Sequence, residues 1–388
     1  MQVRLLPRRH APLRQSWLAA GLAAMLVAAL PPQVAGGDLF EPGYRADRFD
    51  FRPSAGEQVT VQYQLLQAAA VTLTVHDSDH RPVATLLRAV AQPPGTASAR
   101  WTGRDERGQA LPRGVYYFVL EAAGAGGSQL HDPAMSSGGE VLRIAFGDYS
   151  YDRTAGKFRF NLPRPAWVRI RAGVHEGPLL ATPADWEPFD AGSHEVAWDG
   201  RDADGLLDVA GHPKFSHLLQ AFALPTGSVY LAEGGPPARA LLPGKEGVAL
   251  AERQRAVRKA SLARGAIDPT YFAPAAYRRS PLFAASVGGR LPKTAGGAVT
   301  ADLSVPVTVT LDPQSATQMV EQRFEIVTYV DQVRVAEEEQ GYSPCTIEVP
   351  VNELPEGEHV ISVSVVSLTD QGATKSFRVQ VQHPAMSR

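Results

Sequence analysis

The sequence predicts an all-β chain of three tandem β-sandwiches, with an irregular, partly helical connector before the third. Three observations lead there. Apolar and polar residues alternate through many short segments, as in Val59, Val61, Tyr63 and Leu65, the period-2 mark of a half-buried strand. Turn residues punctuate the chain throughout, with 35 Gly and 31 Pro in 388 residues, which disfavours long helices. One phrase is also written twice. Trp101-Thr-Gly-Arg-Asp-Glu-Arg-Gly108 returns 97 residues later as Trp198-Asp-Gly-Arg-Asp-Ala-Asp-Gly205. The same offset pairs Tyr63 with Phe160, Leu65 with Leu162, Val71 with Val168, and Gly95 with Gly192. A repeat of that length is a duplicated domain, since solenoid units run roughly 20–50 residues.

The N-terminus reads as an export signal over residues 1–36. Arg4, Arg8, Arg9 and Arg14 form a basic start, and Trp17 to Leu30 is an unbroken run of apolar and small residues. Pro31-Pro32 ends the run before a small-residue cleavage context. The run falls short of the ~20 residues that span a bilayer; an uncleaved anchor is the alternative. Net charge is −2, so no long-range attraction to nucleic acid or anionic lipid is expected. Cys345 is the only cysteine. It excludes an internal disulfide and reads as a small buried residue in a strand.

Residues 37–45 are an N-terminal tail, and 46–122 the first sandwich. Its strands begin at Glu57 to Leu65 and Val71 to Val75, and its last is the β-rich Val115 to Leu120. Residues 123–139 form a Gly/Ser-rich linker, and 140–232 the second copy, whose last strand is placed within Phe215 to Leu224. Residues 233–298 are a Pro/Ala/Arg-rich connector with one helix, Val248 to Arg264. Its basic residues ring the helix, so it is either a solvated connector or a docking segment for an acidic partner. The aromatics Tyr271, Phe272, Tyr277 and Phe283 would let the connector lie against a domain. Residues 299–383 resume the alternation as a third sandwich, through Val305, Val307, Val309 and Leu311.

Gly56 to Leu65, Val71 to Asp77, the phrase from Trp101 to Gly108, and Leu111-Pro-Arg-Gly-Val-Tyr-Tyr-Phe118 together resemble the Ig-like domain of the flagellar hook-capping protein. The resemblance covers about residues 46–122 and is less complete in the second copy. The third domain resembles a generic bacterial extracellular Ig-like module. The resemblance implies Ig-like or fibronectin-like sandwiches used for assembly or protein contact.

The residues that could carry chemistry have structural readings beside them. Asp199, Asp202, Asp204 and Asp208 crowd one turn and form a weak calcium candidate. The competing reading makes Asp105 and Asp202 acceptors inside a turn, with Gly108 and Gly205 at positive φ and Trp101 and Trp198 plugging the cores; Gly103 and Gly200 complete the repeated signature. The histidines, including His76 and His80 beside a turn, lack zinc spacing and read as surface residues. No nucleophile elbow or phosphate-cradling loop occurs. Trp167 and Trp186 have only Ala70 and Ala89 as counterparts in the first copy. With Arg169 and Arg171, which share a strand face with Trp167, they are the candidates for contact with a partner or a glycan.

The expectation is therefore an exported, non-catalytic protein without cofactor, in the periplasm or at the cell surface. It would act as a scaffold or subunit of an envelope assembly through unidentified protein partners. A carbohydrate-binding or adhesin module is the alternative, and a hydrolase accessory subunit a weaker one.

Overall fold

The computed structural model describes residues 37–145, 147–235, 245–266, 280–287, 299–301 and 303–383. The export signal (1–36) and Tyr271, Phe272 and Tyr277 of the connector lie outside the described residues. The chain is all-β, in Ig-like sandwiches.

The first sandwich uses β1 (Arg45–Ala46), β2 (Asp50–Phe51), β3 (Val59–Leu65), β4 (Ala69–Asp77), β5 (Pro82–Gln92), β6 (Gly95–Trp101), β7 (Gly114–Gly124) and β8 (Gly127–His131). One sheet runs β1-β3-β6 and the other contains β7-β4-β5, with β8 on the outer edge of β7. Alternation decides the faces. Val71, Leu73 and Val75 of β4 are buried between the sheets, while Ala70, Thr72 and Thr74 face outward. The short helix α1 (Pro133–Ser136) follows, capped by Asp132, whose side chain accepts from the Ala134 amide.

The second sandwich repeats this plan with β9 (Tyr149–Asp152), β10 (Lys157–Leu162), β11 (Ala166–Val174), β12 (Leu179–Phe189), β13 (Gly192–Ala197) and β14 (Phe215–Ala223). Its sheets run β13-β10-β9 and β12-β11-β14. β11 and β12 lie 97 residues after β4 and β5 at both ends.

The chain then returns to where it began. β15 (Val229–Leu231) pairs antiparallel with Gly114 to Tyr116 of β7 and parallel with β2. Val229 and Leu231 are fully buried in the first core, each stabilising it by about 1.5–3 kcal/mol. In sequence these residues fall within the second-copy stretch 140–232; in space they finish the first.

Helix α2 (Lys245–Ala263) lies on the outer face of the first sandwich. The third sandwich contains β16 (Phe283–Val287), β17 (Val299–Ala301), β18 (Ser304–Leu311), α3 (Pro313–Gln322), β19 (Phe324–Val330), β20 (Val333–Glu338), β21 (Cys345–Pro350), β22 (Gly357–Ser367) and β23 (Gly372–Val381). Its sheets run β16-β18-β21 and β17-β23-β22-β19-β20. Phe283, placed by sequence in the connector, is buried in this core, as is Cys345. Helix α3 departs from the all-strand alternation expected of this domain. It carries a readable start, with Asp312 accepting from the Gln314 and Ser315 amides and Pro313 in its first turn. No helix among the described residues is long and apolar enough to cross a membrane.

Candidate interaction surfaces

The repeated phrase builds the same turn twice. Trp101 Nε1 donates to the Arg104 carbonyl and Trp198 Nε1 to the Arg201 carbonyl. Arg104 and Arg201 reach back to the carbonyls of Gly108 and Gly205. Asp105 accepts from the amides of Arg107 and Gln109, and Asp202 from those of Leu206 and Leu207. Gly103, Gly108, Gly200 and Gly205 all have positive φ, open to glycine without strain.

The four acids of the calcium candidate do not converge. Asp199 accepts from the Arg201 amide, and Asp202 is held inside the turn. Asp204 points away to the Ser376 amide and the Lys375 ammonium of the third sandwich. Asp208 takes the Gly211 amide and Arg153. Among the described residues no group of three or more His, Cys, Asp or Glu side chains could hold a metal ion.

The residues that set the second copy apart gather on the outer face of its β12-β11-β14 sheet. Arg169 lies over the Trp186 ring at 4.5 Å, a cation–π contact in a desolvated place. Its guanidinium also bonds Gln220 Oε1. Arg169 and Arg171 then grip Asp370, at the turn between β22 and β23, through both its carboxylate and its backbone carbonyl. Both arginines are only 3% exposed, whereas the Asp370 side chain is 57% exposed. Burial, with Arg171 alongside, lowers Arg169 to about 10. Burial alone would raise Asp370, but Arg171 and Arg169 hold its carboxyl below the usual range. Thr374 Oγ1 adds a bond to the Leu179 carbonyl. Arg169 and Arg171 are therefore engaged by the third sandwich, while Trp186 packs beneath Arg169 and beside Phe222 within the second. Trp167 stays half-buried on the same face, beside Pro188 and Phe222 in the ladder. The equivalent row in the first copy is Ala91, Ala70 and Ala123, which line an open hollow of about 570 Å³.

The first copy's outer face is used differently. Val257 of α2 is fully buried against Tyr117, Val119 and Ala134. Arg253 donates to the His80 carbonyl at 3.0 Å and the Tyr117 hydroxyl at 2.9 Å, and pairs with Asp132 at 2.8 Å. Arg264 bonds the Met135 and Gly138 carbonyls. The helix thus lies against the first sandwich, held by backbone carbonyls, the Tyr117 hydroxyl and the Asp132 carboxylate. His76 and His80 are buried here, correcting the surface reading. His76 is stacked on Tyr117, and burial, aided by Arg253, lowers its pKa to about 4. Asp77 is pushed up to about 6 by burial and by Asp79.

The two cores also differ along one side. In the first, Trp101 is 1% exposed, enclosed by Phe51, Tyr116 and Phe118. In the second, Trp198, Tyr149, Tyr151, Phe215 and His217 are all only partly buried and touch ring to ring in a row, mostly edge-on or tilted. Nδ1 of His217 is buried without a hydrogen-bond partner.

Residues 50–126 match the family model described as the FlgD Ig-like domain. No curated protein matches the chain. Among solved structures, a bacterial ice-binding adhesin retained on host cell surfaces is 10% identical over 89% of this chain and 99% of its own, with a TM-score of 0.17. The Salmonella enterica SafA pilin in complex with the SafB chaperone is 15% identical over 42% and 87%, TM-score 0.18. Dimeric latent PorU from Porphyromonas gingivalis is 10% identical over 88% and 33%, TM-score 0.20. Likenesses at these scores bear on neither arrangement nor function.

Proposed function

We propose that this chain, whose first sandwich is an Ig-like domain of the FlgD type, is an exported, non-catalytic scaffold or subunit of an envelope or cell-surface assembly. It would act through protein–protein contacts. The supporting observation is how the side chains unique to the second copy are used. Arg169, Arg171 and Asp204 bind the third sandwich, and Trp186 supports Arg169 from below. With α2 fastened to the first, the modules are tied into one arm with strand edges left on its surface. Such edges are natural places for protein pairing.

The test is affinity capture with the full chain from an envelope extract. Recovery of a stoichiometric protein complex supports the scaffold. Retention on polysaccharide that is lost on Trp167→Ala would replace it with the carbohydrate-binding reading.

A further inference from the structure

Antiparallel pairing makes alternate residues of β14 present their backbone groups to its outer side. Ala221 and Ala223 do so and are bonded by the chain at Gly139 to Leu142. The same alternation turns the N–H and C=O of His217 and Leu219, and the C=O of Phe215, to that side. Among the described residues none of these has a backbone partner there. In the first copy the equivalent edge is covered along its length. β15 pairs with Gly114 to Tyr116, the Tyr44 hydroxyl accepts from the Phe118 amide, and β8 takes Leu120 to Gly124. Where the first copy closes its core with Val229 and Leu231, the second leaves Tyr149, Phe215, His217 and Trp198 partly open.

We propose that the free edge of β14 from Phe215 to Leu219 receives an extended strand from a partner protein, with apolar side chains at alternate positions entering the aromatic row. The inference rests on the scaffold reading and names the contact through which it would work. The occupant's chemistry comes from the chain itself. β15 is an apolar-x-apolar strand whose Val229 and Leu231 are buried while Tyr230 remains outside the core. An edge of unpaired backbone beside partly exposed aromatics offers both main-chain bonds and side-chain pockets, the two needs of strand addition.

The experiment uses the full chain and a synthetic peptide with the sequence of residues 226–233, carrying a photo-crosslinker. In the free protein, the His217 and Leu219 amides should exchange hydrogen at least tenfold faster than those of Phe118 and Leu120. The peptide should bind saturably, slow that exchange, and crosslink within residues 215–219. Methylating alternate peptide nitrogens, or Leu219→Pro in the protein, should weaken binding at least tenfold, while the unfolding midpoint of the variant verifies that it is folded. Slow exchange in the free protein, absence of saturable binding, indifference to N-methylation, or crosslinks confined to residues 114–116 would each overturn the proposal. An envelope partner that still co-purifies with folded Leu219→Pro protein would remove this contact and leave the scaffold standing.

Discussion

Ala89 and Trp186 hold the same left-handed backbone conformation, φ 49° and 53°, at equivalent positions of β5 and β12. Ala89 is exposed, whereas Trp186 is 5% exposed beneath Arg169. One irregularity of the duplicated strand has thus been kept in both copies and filled in one. Trp186→Ala should lower stability by about 3–5 kcal/mol, the usual loss for a buried tryptophan. Ala89→Trp should stay within about 0.5 kcal/mol of the parent. Urea unfolding of the two variants checks the contrast, and equal effects would deny it.

Asp370→Ala should leave Arg169 and Arg171 buried without their anion. Breaking a fully buried pair costs about 3–5 kcal/mol, but the exposure of Asp370 moves the expectation down to about 1–3 kcal/mol. Small-angle scattering should show the third sandwich swinging away from the second. Unchanged scattering and melting would mean that other contacts suffice.

Gly103→Ala and Gly108→Ala separate backbone strain from crowding in the repeated turn. Both residues have φ near +75°, so each substitution costs about 1–2 kcal/mol. A Cβ at Gly103 would also meet Leu231 Cδ1 at 2.9 Å, while one at Gly108 meets nothing within 4 Å. Gly103→Ala should therefore be the more destabilising in denaturant melts. The same comparison reports on the seat of β15, which supplies Leu231.

His76 and Asp77 should oppose each other in acid. His76 has a folded pKa of about 4 against an ordinary 6.5. As the pH falls through that interval the unfolded chain takes up a proton that the folded one refuses, and stability drops. Asp77, at about 6 against an ordinary 3.8, takes its proton first in the fold, so stability rises as the pH falls from about 6 towards 4. Asp77→Asn removes the second contribution. The variant should lose about 3 kcal/mol relative to its own stability at neutral pH by pH 4, and His76→Gln should shift the profile the opposite way. Unfolding midpoints at pH 7, 5.5 and 4 decide it.

Val257→Asp should lift α2 from Tyr117 and Val119 by burying an unpaired charge. Trypsin would then cut at Arg255 or Arg258 at least tenfold faster than in the parent, with the sandwiches left intact. Equal cleavage rates would mean that Arg253 and Arg264 hold the helix alone.

Much of the strand content was legible because burial follows alternation, as in Val305, Val307 and Val309 of β18. The twin turns were legible because the same residues recur in both copies. The partners of Arg169 and Arg171 were not. Asp370 stands 199 positions beyond Arg171, in a Thr-Asp-Gln turn with nothing to distinguish it from a solvated one. The seat of α2 was hidden because Val257 is its one large apolar residue in the buried contact, amid arginines whose bonds go to backbone carbonyls. His76 and His80 looked solvated because a turn was visible and the helix covering it was not. The start signal of α3, Asp312-Pro313, is short and stands between long valine-rich strands.

The return of β15 has a consequence for the order in which the chain can assemble. Tyr116 meets Val229 across 113 residues, so the edge of β7 at Gly114 to Tyr116 waits, unpaired, while the whole second sandwich is synthesised. The first module to emerge is completed only after the second has been made, ahead of the third. A fragment ending at residue 126, where the family match stops, would carry an open edge and a core missing Val229 and Leu231. One that adds back residues 226–235 as a separate strand could close it again.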